Sequence, residues 1–241
     1  MKNSFKELLK TLLIAGSIAI FFRSVFFEPF NIPSGSMIPT LLVGDYLFVS
    51  KYSYGYSQYS FPFGLAPIKD RVFYKVPQRG DVIVFRKPGD ETIDYIKRLV
   101  ALPNDTVQVK EGILYINSIK AHRVKTNIGI MKNLFGDEKI FTQYKETFEG
   151  SNPHNIIESS DNDPFDDTIL FKVPDNHFFF MGDNRDNSRD SRTPEVGFVP
   201  RKNLIGKAEM IFFSHNSSAS IFEFWKWHKA IRFSRIGKAI E

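Results

Sequence analysis

The sequence predicts a mainly β protein, with a large antiparallel β-sheet domain, a smaller β-rich subdomain and one N-terminal transmembrane helix. Near the N-terminus, residues 8–27 form an almost continuous apolar segment. Beyond it, the 25 Phe residues and the many Val, Ile and Tyr residues favour strands over helices. A chain of 241 residues with 42% hydrophobic residues is long enough for one domain, or one domain with a subdomain.

The apolar segment 8–27 has the length of a membrane span, which is about 20 residues. Its charged residues, Lys10 and Arg23, lie near its ends, where long side chains reach the membrane interface. A cleaved signal peptide and the core helix of a soluble protein are the alternatives. No small-x-small cleavage site follows the segment, so we expect an uncleaved anchor.

The charges that flank this anchor predict its orientation. Lys2, Lys6 and Lys10 are opposed only by Glu7. By the positive-inside bias, residues 1–7 then form a cytoplasmic N-terminus, and everything from residue 28 onward lies on the other side of the membrane.

The rest of the chain reads as short strands separated by turns. Two of them, 82–85 and 93–101, form a predicted hairpin across the Pro-Gly turn at Lys87-Pro88-Gly89-Asp90. Further strands are predicted at 45–51, 106–109 and 113–116. Residues 121–170 are more polar and are interpreted as a subdomain or insertion. The main β domain, which carries the candidate catalytic residues, then comprises 28–120 and 171–241.

Charge and cysteine content exclude several classes of function. The chain has no Cys, which excludes disulfides and thiolate metal sites. The net charge of +5 is concentrated in the last sixteen residues, and a nucleic-acid-binding protein would carry its basic stripe across the fold. We interpret this basic tail as a solvated helical end, with contact to a membrane surface as the alternative. No nucleic acid, metal or cofactor is predicted.

A proline-framed loop, Pro33-Ser34-Gly35-Ser36-Met37-Ile38-Pro39-Thr40, follows the anchor closely. The two prolines restrict φ on either side, and glycine allows the backbone to approach a ligand. The loop is therefore suited to present Ser36 as a nucleophile. An ordinary surface turn is the alternative, because Ser, Gly and Pro are common turn residues.

A serine nucleophile requires a base, and the sequence favours a lysine over a histidine. The histidines occur in no recognisable motif, so we predict no Ser-His-Asp triad: His122, His154, His177, His215 and His228. Lys97 shares one face of a strand with Tyr95 and Leu99. Burial of that face would lower the lysine pKa from about 10.4 towards about 8, at roughly 3 kcal/mol. An exposed lysine on an edge strand is the alternative.

A third segment, 181–192, is dense in Asp, Asn, Arg and Ser. Such a run is either a solvated loop or a network of ion pairs and hydrogen bonds that holds a site rigid. Together with the proline-framed loop and the Lys97 strand, it resembles bacterial type I signal peptidase, a membrane-bound Ser-Lys endopeptidase that removes signal peptides. Four blocks occur in that family's order: 33–42, 44–55, 80–105 and 182–192.

The resemblance implies a role for each matched residue. Ser36 corresponds to the nucleophile and Lys97 to the general base. Ser34 corresponds to a serine whose hydroxyl helps form the oxyanion hole, beside the backbone N–H of Ser36. The supporting residues implied by the match are Ser188, which orients the lysine, and Asp183, Arg98, Asp190 and Arg192.

The resemblance also implies substrate pockets that admit only small side chains such as Ala. Their implied lining is Phe30, Ile32, Met37, Leu41, Tyr95 and Ile96. The expected substrates are pre-proteins with small residues at the first and third positions before the cut. The lipid bilayer and the export machinery are the other expected partners. The implied location is the bacterial inner membrane, with a single span and a periplasmic catalytic domain.

The chain departs from the family pattern at two positions of the third block. Asn104 and Ala101 stand where Gly is usual, and Asn is among the residues that tolerate positive φ. Two enzyme alternatives are a conjugation-pilus processing peptidase and a self-cleaving repressor, although no DNA-binding domain precedes Ser36. A third alternative is a membrane-anchored β binding module with an inert serine and lysine.

Overall fold

The computed structural model describes residues 2–64, 66–132, 138–160, 163–220 and 222–241. Its two α-helices are α1 (Lys2–Val25) and α2 (Trp227–Ala230). The strands are β1 (Phe27–Asn31), β2 (Asp45–Ser50), β3 (Val82–Arg86), β4 (Asp94–Ala101), β5 (Thr106–Lys110), β6 (Ile113–Ile116), β7 (Ile119–Lys120), β8 (His122–Lys132), β9 (Glu138–Thr147), β10 (His154–Glu158), β11 (Phe171–Lys172), β12 (His177–Met181), β13 (Val199–Pro200) and β14 (Leu204–Ser214). Short 3₁₀ turns lie at Gln58–Ser60, Pro62–Gly64, Arg185–Asn187, Arg201–Asn203, Phe224–Lys226 and Phe233–Arg235.

Helix α1 is the only described helix long and apolar enough to cross a membrane, over Phe5–Val25. Its large apolar side chains do not pack on the β body, since Leu12, Leu13 and Ile18 are each at least 60% exposed. The helix ends two residues before the predicted end at residue 27. Phe27 instead begins β1, where it pairs with Ser50 of β2.

The main sheet has seven strands in the order β1-β2-β14-β3-β4-β12-β13, and all neighbouring pairs are antiparallel. The predicted hairpin is present as β3 and β4, with Ile83 opposite Lys97. Strand β3 is apolar and buried along nearly its whole length because both faces of the sheet are covered. The prediction of a mainly antiparallel β protein with one N-terminal apolar helix is therefore confirmed.

Two smaller sheets flank the main one. Strands β11-β5-β6-β7 form a four-stranded sheet whose Val107 and Leu114 pack on Ala101 and Phe179 of the main sheet. Strands β10-β9-β8 form a three-stranded sheet, here called the inserted sheet, within the predicted subdomain 121–170. The turn before β5 contains Asn104 at φ 71°, so the left-handed conformation expected there is present.

The C-terminal segment does not form the solvated helical end that its sequence predicts. Only the four residues of α2 are α-helical. Farther along, Arg235 pairs with Asp45, a fully buried carboxylate at the start of β2. Ile240 is buried in the core beneath the proline-framed loop. Arg235 and Ile240 thus fasten the segment to the main sheet, whereas Phe224, Trp225 and Phe233 remain 58–69% exposed.

Candidate active site

The proline-framed loop connects β1 to β2 and turns sharply on itself. The Ile38 N–H donates to the carbonyl of Gly35 at 3.2 Å, and the Leu41 N–H donates to the carbonyl of Met37 at 2.9 Å. The Ile38–Pro39 peptide bond is cis. This compact turn holds Ser36 at the edge of a cavity, with only 8% of its surface exposed.

Strand β4 brings Lys97 next to the proline-framed loop. Lys97 Nζ lies 2.7 Å from Ser36 Oγ and also donates to the carbonyl of Ile96 at 2.9 Å. The side chain reaches this position past the ring of Tyr95, whose centroid is 5.2 Å from Nζ. The structure therefore joins the candidate nucleophile and the candidate base, 61 residues apart, by a direct hydrogen bond.

Burial makes Lys97 a much weaker base than an ordinary lysine. Only 4% of the residue is exposed. Desolvation of the ammonium lowers its pKa to about 8, although the negative charges of Asp190 and Asp183 act in the opposite direction. A lysine with this pKa is neutral in a substantial fraction of molecules at mildly alkaline pH, so it can accept a proton.

Two donors lie near Ser36 Oγ, where an oxyanion would form. Ser34 Oγ is 3.4 Å from Ser36 Oγ. The backbone N–H of Ser36 makes no hydrogen bond to any described residue, so it is available for a ligand. A hydroxyl and a backbone N–H are a donor set that suits an oxyanion hole.

Arg98 and Asp183 form a buried ion pair behind the loop. Arg98 donates from Nε and Nη2 to the two carboxylate oxygens of Asp183 at 2.8 and 2.7 Å. The hydroxyl of Thr40 also donates to Asp183. Burial alone would raise the pKa of the Asp183 carboxyl, but the guanidinium outweighs it and the pKa lies below its usual value. Asp183 therefore ties the end of the loop to β4.

A second pair, Asp190 with Arg192, supports the segment after β12. Arg192 donates from Nε and Nη2 to Asp190 at 2.9 and 2.8 Å, and the Gly182 N–H donates to Asp190 at 2.9 Å. The dense polar run 181–192 is thus a buried network rather than a solvated loop. The carboxylates of Asp190 and Asp183 raise the pKa of Lys97 and so oppose the effect of burial.

Ser188 is a buried residue of the same polar run. Lys97 Nζ bonds to Ser36 and Ile96, and no hydrogen bond joins it to Ser188 Oγ in the described residues. The packing here is tight, because a Cβ on Gly182 would lie 2.2 Å from Ser188 Oγ and 2.5 Å from the Ser36 carbonyl oxygen. Only glycine at position 182 leaves room for both groups.

A cavity of about 520 Å³ opens in front of Ser36 and Lys97. Four of the six predicted pocket residues line it: Phe30, Ile32, Tyr95 and Ile96. Met37 and Leu41 do not line it. Both side chains are fully buried under the loop, in the same core cluster as Leu47 and Val49 of β2.

The sequence analysis missed two residues that hold the loop. Thr40 donates to Asp183, and Asn184 donates to the backbone of Gly35 and Ser36. Both lie inside matched blocks, but nothing in their spacing indicates a partner. Among the described residues, no group of three or more His, Asp or Glu could hold a metal ion.

The geometry of the site indicates a class of enzyme. A buried serine bonded to a lysine of lowered pKa, with two donors beside it, is the arrangement expected of a serine hydrolase that uses a lysine as its base. The described histidines take no part, and His154 contacts Glu146 instead.

Comparison with known proteins then identifies the family. Residues 5–213 match the family described as signal peptidase, peptidase S26. Signal peptidase I of Rickettsia typhi is 41% identical, over 92% of this chain and 88% of that protein. The corresponding values for Rickettsia conorii are 43%, 82% and 75%. A solved signal peptidase I from Enterococcus faecalis is 26% identical and covers 55% of this chain and 97% of its own, with a TM-score of 0.32.

This chain therefore belongs to the signal peptidase family, peptidase S26. It is a serine peptidase, and the assignment rests on the sequence matches over most of its length.

Proposed function

We propose that this peptidase removes signal peptides from exported pre-proteins, with Ser36 as nucleophile and Lys97 as general base. The 2.7 Å contact between Lys97 Nζ and Ser36 Oγ is the observation that carries the proposal. Neutral Lys97 takes the proton as Ser36 Oγ attacks the scissile carbonyl, and returns it to the leaving amine. Water, activated by the same lysine, then hydrolyses the acyl-enzyme.

Stabilisation of the oxyanion comes from the Ser34 hydroxyl and the Ser36 backbone N–H. Removal of one such donor costs about 3 to 4 kcal/mol of transition-state stabilisation in a comparable protease. The Arg98–Asp183 and Asp190–Arg192 pairs hold the segments that carry the dyad, so they act by positioning rather than by contact with substrate. Ser188 packs beside the dyad, and its role in orienting the lysine belongs to this proposal.

The cavity sets the substrate preference. Phe30, Ile32, Tyr95 and Ile96 narrow the space beside the dyad with large apolar side chains. Small side chains such as Ala on the substrate fit there best, at the first and third positions before the cut. The lipid bilayer, and the export machinery that delivers unfolded pre-proteins, are the partners that such a substrate implies.

The proposed position of the protein in the membrane follows from helix α1. Its exposed apolar surface supports a single membrane span, and the lysines near its start support a cytoplasmic N-terminus. The catalytic domain would then lie on the outer face of the bacterial inner membrane, where translocated pre-proteins emerge.

The proposal is tested by cleavage of a pre-protein in detergent. Ser36→Ala and Lys97→Met are each expected to lower kcat/KM by at least about 10³-fold, because each removes a group that takes part in bond making. Ser218→Ala and Lys229→Met, at exposed positions, are the matched controls. Full activity of Lys97→Met would exclude the Ser-Lys mechanism.

Labelling by a serine-reactive acylating inhibitor separates the peptidase from an inert binding module. Wild-type protein is expected to be labelled and Ser36→Ala to remain unlabelled. Equal labelling of the two would place the reactive group elsewhere.

A further inference from the structure

The inserted sheet holds the catalytic segment through a fully buried ion pair. Arg185, in the 3₁₀ turn after β12, donates from Nη1 to Glu146 Oε1 at 2.9 Å and from Nη2 to Glu146 Oε2. Glu146 belongs to β9 and has no exposed surface, and Arg185 is 2% exposed. His154 of β10 also lies near the carboxylate, with Nε2 3.4 Å from Oε2.

Backbone hydrogen bonds also join the inserted sheet to the segment after β12. The Ile157 N–H of β10 donates to the carbonyl of Asp183 at 2.9 Å, and the Ser159 N–H donates to Asp186 Oδ2 at 2.6 Å. Strand β10 therefore runs alongside the segment that contains Asn184 and Arg185, and Ile157 and Asn184 form a parallel β-bridge.

Asn184 connects the segment after β12 to the proline-framed loop. Its N–H donates to the Ser36 carbonyl at 3.1 Å, and its Nδ2 donates to the Gly35 carbonyl at 3.0 Å. Asn184, which hydrogen-bonds to the backbone of Ser36, is thus the chain neighbour of Arg185, which pairs with Glu146. A continuous set of contacts runs from the inserted sheet to the nucleophile.

The ion pair is suited to fixed positioning because it does not titrate under physiological conditions. Burial raises the pKa of Glu146, but Arg185 and His154 outweigh it and hold the pKa at about 2. The bidentate geometry also fixes the angle of the guanidinium, which a single contact would leave free.

We propose that Glu146 is a positioning residue for Ser36, acting through Arg185 and Asn184. This gives the inserted sheet a role in catalysis although none of its described side chains lines the cavity in front of Ser36. The inference rests on the proposed cleavage reaction, since its measurable consequence is the rate of that reaction.

Glu146→Gln tests the proposal in the full-length protein with a pre-protein substrate. The variant keeps the size of the side chain and removes the charge that holds Arg185. A nucleophile displaced by a fraction of an ångström is expected to lower kcat at least tenfold. KM should change less than twofold, because the cavity walls on β1 and β4 are untouched.

The matched control is Arg79→Gln. Arg79 forms a bidentate, partly buried pair with Asp105, and among the described residues neither side chain hydrogen-bonds to the segment 183–187. It is expected to lower the unfolding temperature and leave kcat within twofold of wild type. If both variants lose kcat in proportion to lost stability, or if Glu146→Gln keeps wild-type kcat, the positioning role is wrong.

A double variant shows whether Glu146 acts through Asn184. If it does, Glu146→Gln combined with Asn184→Ala loses no more activity than Asn184→Ala alone. If the activity losses of the two single variants multiply in the double variant, the two residues act independently. That result would contradict an action of Glu146 through Asn184.

Arg185→Lys decides the question if Glu146→Gln does not fold. It keeps the buried carboxylate paired but removes the bidentate fork, and it is expected to lower kcat with KM unchanged. Wild-type kcat in this variant would overturn the proposal. Failure of the proposed function itself is distinguishable, because wild-type protein would then cleave no pre-protein.

Discussion

At the scale of the single residue, Lys97 shows how burial creates a base. A pKa lowered from 10.5 to about 8 corresponds to about 3 kcal/mol of destabilised ammonium, at about 1.36 kcal/mol per pKa unit. The folded and unfolded states are both protonated below about pH 8, so this cost is then fully present. It declines as pH rises from about 8 to 10.5, because the unfolded state binds more protons in that range.

The lowered pKa predicts the pH dependence of activity. Only neutral Lys97 accepts the serine proton, so kcat/KM is expected to rise about tenfold per pH unit up to about pH 8 and to level off above it. Cleavage of a pre-protein in detergent between pH 6 and 9.5 measures this, with the intact fold checked at each pH. A profile that is flat between pH 6 and 8 would show that Lys97 is not the titrating base.

At the scale of the element, the C-terminal segment 222–241 stabilises the proline-framed loop through Arg235. Arg235 contacts the buried carboxylate of Asp45 through Nε at 3.0 Å, and its Nη2 donates to the Thr40 carbonyl at 2.9 Å. Asp45 in turn accepts from the Leu42 N–H at 2.8 Å and from the Ser214 hydroxyl at 2.6 Å. A basic tail is therefore part of the scaffold of the loop.

Arg235→Ala is expected to lower the free energy of unfolding by about 2 kcal/mol. The change leaves Asp45 with its remaining hydrogen bonds and a longer 3.5 Å contact to Arg232, so the loss is smaller than for an unpaired buried charge. Chemical denaturation in detergent measures it. Lys238→Ala, at an exposed position of the same segment, should change stability by less than about 0.5 kcal/mol. Equal effects of the two substitutions would contradict the bracing role.

At the scale of the whole molecule, only a short stretch of chain separates the proposed membrane anchor from Ser36. Helix α1 has 24 residues, about 36 Å at about 1.5 Å per residue, which is long enough to span a hydrocarbon core of about 30 Å. Strand β1 follows at once and has only five residues, or about 17 Å. The proline-framed loop begins at the end of β1, so the proposed anchor would hold Ser36 close to the membrane surface.

The proposed orientation predicts a protease-accessibility pattern. In spheroplasts, protease added outside is expected to degrade the β body, and a tag placed before Lys2 should stay protected because the lysines keep that end cytoplasmic. Permeabilised cells, in which both ends are digested, are the control. A tag that is digested in intact spheroplasts would reverse the topology, and recovery of the chain in the soluble fraction would exclude the anchor.

Local patterns in the sequence were sufficient for the apolar helix α1 and the β3–β4 hairpin. For Ser36 and Lys97 they left an ordinary turn and an exposed lysine open, and the resemblance to signal peptidases singled out the pair. The helix and the hairpin were predictable because they depend on near neighbours. A span requires a run of apolar residues, a hairpin requires a turn between two strands, and alternation along β4 places Lys97 on the same face as Leu99.

Tertiary packing alone decided the rest. It put Met37 and Leu41 into the core, paired Glu146 with Arg185 across 39 residues and paired Asp45 with Arg235 across 190. Such partners share no local pattern, because any buried acid can be neutralised by any arginine that the fold brings close. The sequence by itself determined the apolar helix and the mainly β fold, and its resemblance to signal peptidases predicted the reactive pair. The folded structure decided which others hold them in place, because a buried charge is stable only beside its partner in space.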